Sequence, residues 1–368
     1  MPAGGASAPT IYDVAELAEV SIATVSRVLN GRVNPGSPTY ERVTAAVEQL
    51  KFVPNGAARG LSKGLKKVLG IVFGGSPATD DLVGIEEESL LYTDAVVRGA
   101  ESGAQRLGFS LLLRGAGPKA PDQSLTDLIG KVDGVILLDQ VLPERRVAPL
   151  ARRVPVVLLA GSGRSRMAHT VRVDNAAAMT AIAEHLVCVH GLRRLAFMSG
   201  LSASPDSSSR AESFGRAAAE LGAIVEPLGS WSADWTSGGA ARTTSTHLAA
   251  NNGPLPEAIV CANDQMAIGT MHALRRAGLA VPGDVAVAGF DDISVSRHLS
   301  PPLTTVRQPS RQLGAVAVEV LVDVVTGRPP ADRETVLPTE LVVRASCGCR
   351  APHPDPDEVW QTENGASG

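Results

Sequence analysis

From Val68 onward the chain alternates between short apolar runs and stretches with helical periodicity, and this limits the fold more than any other feature. VLGIVF (68–73), FSLLL (109–113), GVILL (134–138) and PVVLL (155–159) read as strands buried on both faces. After TVRV (170–173) the texture resumes, with LAFMSG, AIVCAND and VAVAGFDD ending strands. Helices are expected near 93–107, 123–131, 144–153, 175–189, 209–221, 236–250 and 263–277. Strand–helix alternation implies parallel sheets covered by helices on both faces. About ten such units exceed one sheet, so the expectation is an α/β core of two doubly wound parallel-sheet lobes. Ligands of such sheets bind at the carboxyl ends of strands, which a cleft between two lobes would collect.

Ahead of this core, TIYDVAELAEVSIATVSRVLNG (Thr10–Gly31) reads as two short helices meeting at a tight turn. Thr10 can cap the first, where Val14, Leu17 and Ala18 recur at helical spacing. Ser21 can cap the second, whose Val25, Val28 and Leu29 form an apolar face. Its other face carries Ile22, Ala23, Ser26, Arg27 and Asn30. Little bulk and one guanidinium suit close approach to base edges in a DNA major groove. Two capped helices also occur in domains that never meet DNA. After the loop RVNPGSP, Val43, Val47 and Leu50 mark a third helix over Thr39–Lys51, started by Ser37 or Gly36 with Pro38 in its first turn. Phe52-Val53-Pro54-Asn55 stops it. The segment GAARGLSKG that follows is weakened by Gly56 and Gly60, so it gains order only by folding against something.

Charge supports the same division. The net charge is −4, yet residues 1–67 hold eight Lys/Arg against five Asp/Glu, a net of +3 that leaves −7 for the rest. A basic head on an acidic body fits nucleic-acid binding confined to the head. With 44% hydrophobic and 3% aromatic residues in 368, the cores must be large and mostly aliphatic. Cys188, Cys261, Cys347 and Cys349 are too few for a disulfide framework, and Cys347-Gly-Cys349 lacks the second cysteine pair of a zinc site. The seven histidines lack metal-ligand spacing, and His185 and His190 read as a packed or exposed pair at a helix end. No metal, cofactor or catalytic group is expected: there is no G-x-S-x-G nucleophile elbow and no P-loop. With no secretory signal pattern and no apolar run of membrane-span length, the expectation is a cytoplasmic protein without a membrane partner.

The motifs IYDVAELAEVSIATVSRVLNG, ERVTAAVEQLKFVPN and NGAARGL, at their mutual spacing, resemble the lactose-repressor (LacI/GalR) family of bacterial transcription regulators. The resemblance runs from about Thr10 to Cys349 through VRVDN, ANDQMAIGTMHALRRAGLAVPGDVAVAGFDD and SPPLTTVRQP. It implies a helix-turn-helix head and a core similar to periplasmic sugar-binding proteins (type I). By that resemblance Ile22, Ala23 and Arg27 read bases, while Thr10, Ser21, Thr24, Ser26 and Asn30 lie near phosphates or support the helix. Asn55–Ser62 corresponds to a hinge helix that lies over the minor groove, with Asn55 and Ala58 there and Leu61 as an apolar wedge. Glu19 stands where the family has a turn glycine, and Pro35-Gly36 replaces its start of the third helix. The implied domains are a head over 1–54, a hinge and linker over 55–67, a core over 68–349 and a disordered tail over 350–368. Lobe 1 would span about 68–169 and 299–332, and lobe 2 about 170–298 and 333–349, with crossovers near Thr170, Leu299 and Arg333.

For the cleft, the resemblance implies effector contacts from Asp174, Arg210, Asn263, Asp291 and Gln308, with Tyr92 at the border. Carboxylates, amides and a guanidinium suit a sugar's hydroxyls or a nucleobase. Trp231 or Trp235 could stack on an apolar sugar face, Trp235 being the choice carried forward. Asp174 and Asp264 could instead be helix N-caps, the reading preferred for Asp264. LSASPDSSSR reads as a flexible loop ahead of Arg210. The acidic loop Gly74–Leu91 is either a solvated insertion or a lid. The resulting expectation is a homodimeric repressor on a near-palindromic double-stranded operator, controlled by a sugar or, as the alternative, a purine or nucleoside. A sugar-binding transport protein is the remote alternative.

Overall fold

The computed structural model describes residues 9–29, 32–52, 65–74, 90–116, 121–138, 142, 144–161, 167–250 and 253–350. The hinge contacts at Asn55, Ala58 and Leu61, Asn30, most of the acidic loop and the tail from 351 lie outside them. The chain divides at Val68 into a helical head and an α/β core, with Lys131–Asp133 grouped with the head.

The head has three helices, α1 (Ile11–Leu17), α2 (Ile22–Leu29) and α3 (Pro38–Leu50). Asp13 Oδ2 closes the start of α1, accepting from the Thr10 amide at 2.6 Å and the Thr10 hydroxyl at 2.8 Å. Ser21 Oγ accepts the Thr24 amide to cap α2, and Ser37 Oγ accepts the Tyr40 amide to cap α3. Val14, Ala15, Ala18, Val25, Val28, Val43 and Ala46 form the core, with Leu50 and Phe52 packed against it. Leu17, expected on the buried face, is instead 42% exposed. Val14, Ala15 and Ala18 supply the buried side of this first helical segment instead.

The core begins with β1 (Val68–Gly74), α4 (Leu90–Arg106), β2 (Ser110–Ala116), α5 (Pro121–Ile129), β3 (Gly134–Leu138), α6 (Glu144–Ala151), β4 (Val156–Leu159) and β5 (His169–Val173). It continues with α7 (Asn175–Glu184), β6 (Arg194–Met198), α8 (Pro205–Glu220), β7 (Ile224–Val225), α9 (Ser237–Ala250), β8 (Ala258–Cys261), α10 (Asp264–Arg276) and β9 (Ala286–Ala288). Last come β10 (Thr305–Arg307), α11 (Ser310–Val325), β11 (Glu334–Leu337) and β12 (Glu340–Val342). One sheet has the order β11-β5-β4-β3-β1-β2, the other β7-β6-β8-β9, and β10 pairs antiparallel with β12. The registers observed within the two larger sheets are parallel. GVILL is buried along its whole length, as a doubly covered strand must be.

The crossings between lobes fall several residues later than expected. β5 pairs with β4 and β11 in the first sheet, so the chain leaves that sheet at Asp174, not Thr170. β10 stays beside β9 through bridges Ala288–Thr304 and Asp291–Arg307, so the return comes at Gln308–Pro309, not Leu299. β11 still belongs to the first sheet, which moves the third crossing from Arg333 to Pro338–Thr339. Ladder pairing decides these points: Arg172 reaches Glu334 across β5 and β11 at 2.6 Å while Val171 and Val173 are buried.

Candidate functional site

In the head, Ile22, Ala23 and Arg27 form the exposed side of α2, opposite buried Val25 and Val28. Arg27 Nε donates to the Ala23 carbonyl at 3.3 Å, which leaves the remaining guanidinium N–H groups for an external acceptor. Thr24 and Ser26 are half-buried, and Thr24 Oγ1 lies 2.9 Å from Ser21 Oγ. The turn that aims α2 closes through the Val20 amide on the Ala15 carbonyl, and Glu19 takes φ +51° to make it. That is the left-handed region glycine enters freely, so Glu19 holds a strained position.

In the core, the expected effector residues converge on the ends of second-lobe strands and on two of the crossings. Arg210, on α8, is 3% exposed. Its Nε donates to Asn175 Oδ1 at 2.8 Å and its Nη1 to the Ala262 carbonyl at 2.6 Å. Nη2 reaches Asp206 Oδ2 at 3.5 Å, and the guanidinium stacks over the Phe290 ring at 3.5 Å. Asn175 Nδ2 returns a bond to Asp206 Oδ1 at 2.8 Å, so the amide and carboxylate together hold Arg210 in place.

Directly after Phe290, Asp291 has φ +123° and accepts from Gln308 Nε2 through Oδ1. This bond joins the end of β9 to the second crossing. Desolvation pushes the Asp291 carboxyl well above the usual carboxylate range, opposed by the Arg210 charge and reinforced by Asp264. Asp292, at φ +53°, anchors the turn through Arg307 at 2.7 Å and Arg344. The strain at 291–292 is therefore held by ion pairs behind the site.

Trp235, at φ +71°, is half-buried. Its indole lies on Gly200, where a Cβ would fall 2.4 Å from the ring, so only glycine admits it. Its carbonyl accepts from Asn263 Nδ2 at 3.1 Å. Trp231 is 3% exposed and stacked on His247 with centroids 4.0 Å apart, so of the two indoles only Trp235 keeps an accessible face. Asp174 caps α7 through the Ala177 amide at 3.0 Å. Tyr92 sits half-buried in the first turn of α4, on the first lobe. A separate depression of about 170 Å³ between α5 and α6, lined by Leu125, Ile129, Arg146 and Leu150 among others, contains none of these residues.

Comparison with known proteins identifies the family and the fold. Residues 10–55 match the family of bacterial regulatory proteins, lacI family, and residues 183–347 match a periplasmic binding protein-like domain. The repressor PurR of Vibrio campbellii is 31% identical over 344 residues, covering 91% of this chain and 97% of the relative. The chain belongs to the LacI family. Catabolite control protein A of Priestia megaterium is also 31% identical, over 85% of this chain and 91% of its own length. Among solved structures, a lac repressor dimer bound to operator and the anti-inducer ONPF superposes with a TM-score of 0.79 at 27% identity, covering 93% of this chain and 99% of that one. A CelR–cellobiose complex superposes with a TM-score of 0.65 at 28% identity, over 92% and 99%. This LacI-family chain is a DNA-binding transcriptional repressor with a small-molecule effector, not an enzyme. Among the described residues no helix is long and apolar enough to cross a membrane.

Within this LacI-family core, three expectations are corrected. Asn263, not Asp264, caps α10, accepting from the Met266 amide at 2.9 Å. Asp264 is fully buried and accepts from the Ile293 amide, the Ser296 hydroxyl and the Thr305 hydroxyl, which ties three separate segments together. LSASPDSSSR is not a flexible loop: Ser204 caps α8, Pro205 opens it, and Asp206 and Ser207 are buried. Ser-Pro-Asp was the missed signal, a cap followed by proline and an acid in the first turn. It would also have brought Asp206 into the site four residues before Arg210. Finally, His185, His190, Cys347 and Cys349 are not scattered, and their ligand atoms lie within 4.8 Å of one another.

Proposed function

We propose that this repressor acts in the cytoplasm as a homodimer on a near-palindromic operator, released or recruited by a small sugar or sugar derivative. One observation carries the effector reading: Arg210, Asp291 and Gln308 are braced at the strand ends, and Asn263, at the end of β8, holds the carbonyl of half-buried Trp235. A flat indole meets the C–H face of a pyranose, while carboxylate, amide and guanidinium exchange hydrogen bonds with its hydroxyls. Asp174 and Asn263 would add contacts from the helix starts, and Tyr92 from the first lobe. Among the described contacts Arg210 uses three of its N–H groups on the protein, leaving two for a ligand. The CelR neighbour was solved with cellobiose, which supports the same chemistry.

At the DNA, Ile22, Ala23 and Arg27 would read base edges, with Thr10, Ser21, Thr24, Ser26 and Asn30 positioning the helix on phosphates. The hinge residues Asn55, Ala58 and Leu61 would engage the minor groove at the operator centre. Two symmetric heads would read the two half-sites. Effector binding changes the relation of the lobes and hence operator affinity, a coupling of about 1–3 kcal/mol in typical cases.

A second reading substitutes a purine for the sugar, favoured by the relatives named PurR. Thermal-shift measurement against sugars, sugar phosphates, purine bases and nucleosides separates the two. A ligand at a hundred times its Kd adds about 2.7 kcal/mol to stability. Stabilisation by sugars, with a change in operator affinity for the same compound, is expected. Stabilisation by purines alone overturns the sugar reading, and the operator measurement gives the sign of control.

A further inference from the structure

Cys347 and Cys349 flank Gly348 at the end of the folded core, while His185 and His190 bound a π-helical turn, His185–Val189, that continues α7. On an α-helix, residues five apart point about 140° away from one another. The π turn, with its i→i+5 hydrogen bonding, brings the two imidazoles to one side. Their Nε2 atoms are 3.2 Å apart and the rings meet edge-on. Cys347 Sγ lies 3.3 Å from His185 Nε2, and Cys349 Sγ lies 3.7 Å from His185 Nε2 and 3.4 Å from His190 Nε2.

These separations are those of ligands around one small ion. With metal–sulfur and metal–nitrogen bonds of about 2.3 and 2.0–2.1 Å, a tetrahedron has N···N near 3.3 Å and N···S near 3.6 Å. The turn is shaped for the task. Gly348, at φ +106°, lets both thiols face the same way, and a Cβ there would stand 3.4 Å from the His190 ring. Ser346 Oγ donates to the Val287 carbonyl and accepts the Thr304 amide, so the turn is fixed to β9 before any ion arrives. Thr304 Oγ1 donates to Cys347 Sγ at 3.1 Å. Both cysteines are free thiols.

We propose that His185, His190, Cys347 and Cys349 form a closed tetrahedral zinc site that staples the end of the core to α7. Two thiolates and two imidazoles suit zinc and exclude magnesium and calcium, which take oxygen ligands. Four protein ligands leave no open position, so the role is structural.

The test uses the full-length, untagged protein, reduced, stripped with chelator, then titrated with Zn²⁺ and in parallel with Co²⁺. The expected result is one equivalent of zinc per chain and a Co²⁺ spectrum with tetrahedral ligand-field bands and thiolate-to-metal charge transfer. Cys349→Ser and His190→Gln, both at half-buried positions that need not disturb folding, should each abolish these signals with an unchanged circular dichroism spectrum. Cys188→Ser, at an exposed cysteine, should leave them intact. Failure of the wild type to retain zinc, retention by both ligand variants, an octahedral Co²⁺ spectrum, or a stable Cys347–Cys349 disulfide in the purified protein would each overturn the proposal.

Discussion

Replacing Asp264 by Asn should change how the core's stability depends on pH while leaving its structure intact. The Asp264 carboxyl is fully buried, and desolvation raises it to about 7 against the opposing bonds from Ser296, Thr305 and Ile293. In the unfolded chain it ionises near its ordinary value of 3.8. Between those values the native state holds a proton the unfolded state has lost, so wild-type stability falls as pH rises through the window and levels off above about 7. Each pH unit is worth about 1.4 kcal/mol, so the loss from pH 5 to pH 8 is on the order of 3 kcal/mol from this group.

Asn fits the same bonds. Its Oδ1 can accept from the Ile293 amide and the Ser296 hydroxyl, and its Nδ2 can donate to a Thr305 hydroxyl that turns round. With Trp360 replaced by Phe in both proteins, urea unfolding followed by tryptophan emission reports the relevant lobe through buried Trp231 and half-buried Trp235. The variant should lie within about 1 kcal/mol of wild type at pH 5 and gain on it by roughly 3 kcal/mol by pH 8. Parallel profiles would refute the raised carboxyl. A large loss at pH 8 would show that the native group is a carboxylate held by its donors.

Glu19→Gly removes the left-handed strain between α1 and α2. Relief of about 1 kcal/mol, partly offset by the greater freedom of the unfolded chain, should raise amide protection in those helices, and lower protection would refute the strain. Arg27→Ala should keep the fold and reduce operator affinity about 10- to 100-fold in fluorescence anisotropy, the worth of one bidentate base contact. Unchanged operator affinity removes it from the reading face. Asp291→Asn should bind operator normally but lose its response to whichever compound the thermal screen identifies. A normal response would take Asp291 out of the effector site.

By itself, the sequence determined what depends on neighbours within a few residues. Caps by Ser21 and Ser37, the N-cap position of Thr10, the apolar runs of β1, β3, β4 and β5 and the helical periods between them appear as read, because cap chemistry and side-chain periodicity act over about one helical turn. By contrast β2, read as buried on both faces, lies at the sheet edge with Leu112 and Leu113 exposed. The resemblance pointed to Arg210, Asp291 and Gln308, which the fold brings to neighbouring strand ends, and Glu19 marked its own strained turn. Only the tertiary structure decided which side chain caps α10 and which ties the turn at Ile293–Ser296 to β10. Both Asn263 and Asp264 are chemically able to cap, and only Asp264 can reach donors 29 to 41 residues away. Pairing between β5 and β11 moved the lobe boundaries, since a strand belongs to the sheet that satisfies its backbone. The same holds for the cysteine and histidine quartet. Its members stand up to 164 residues apart, and a π turn together with one left-handed glycine brings them within ligand distance.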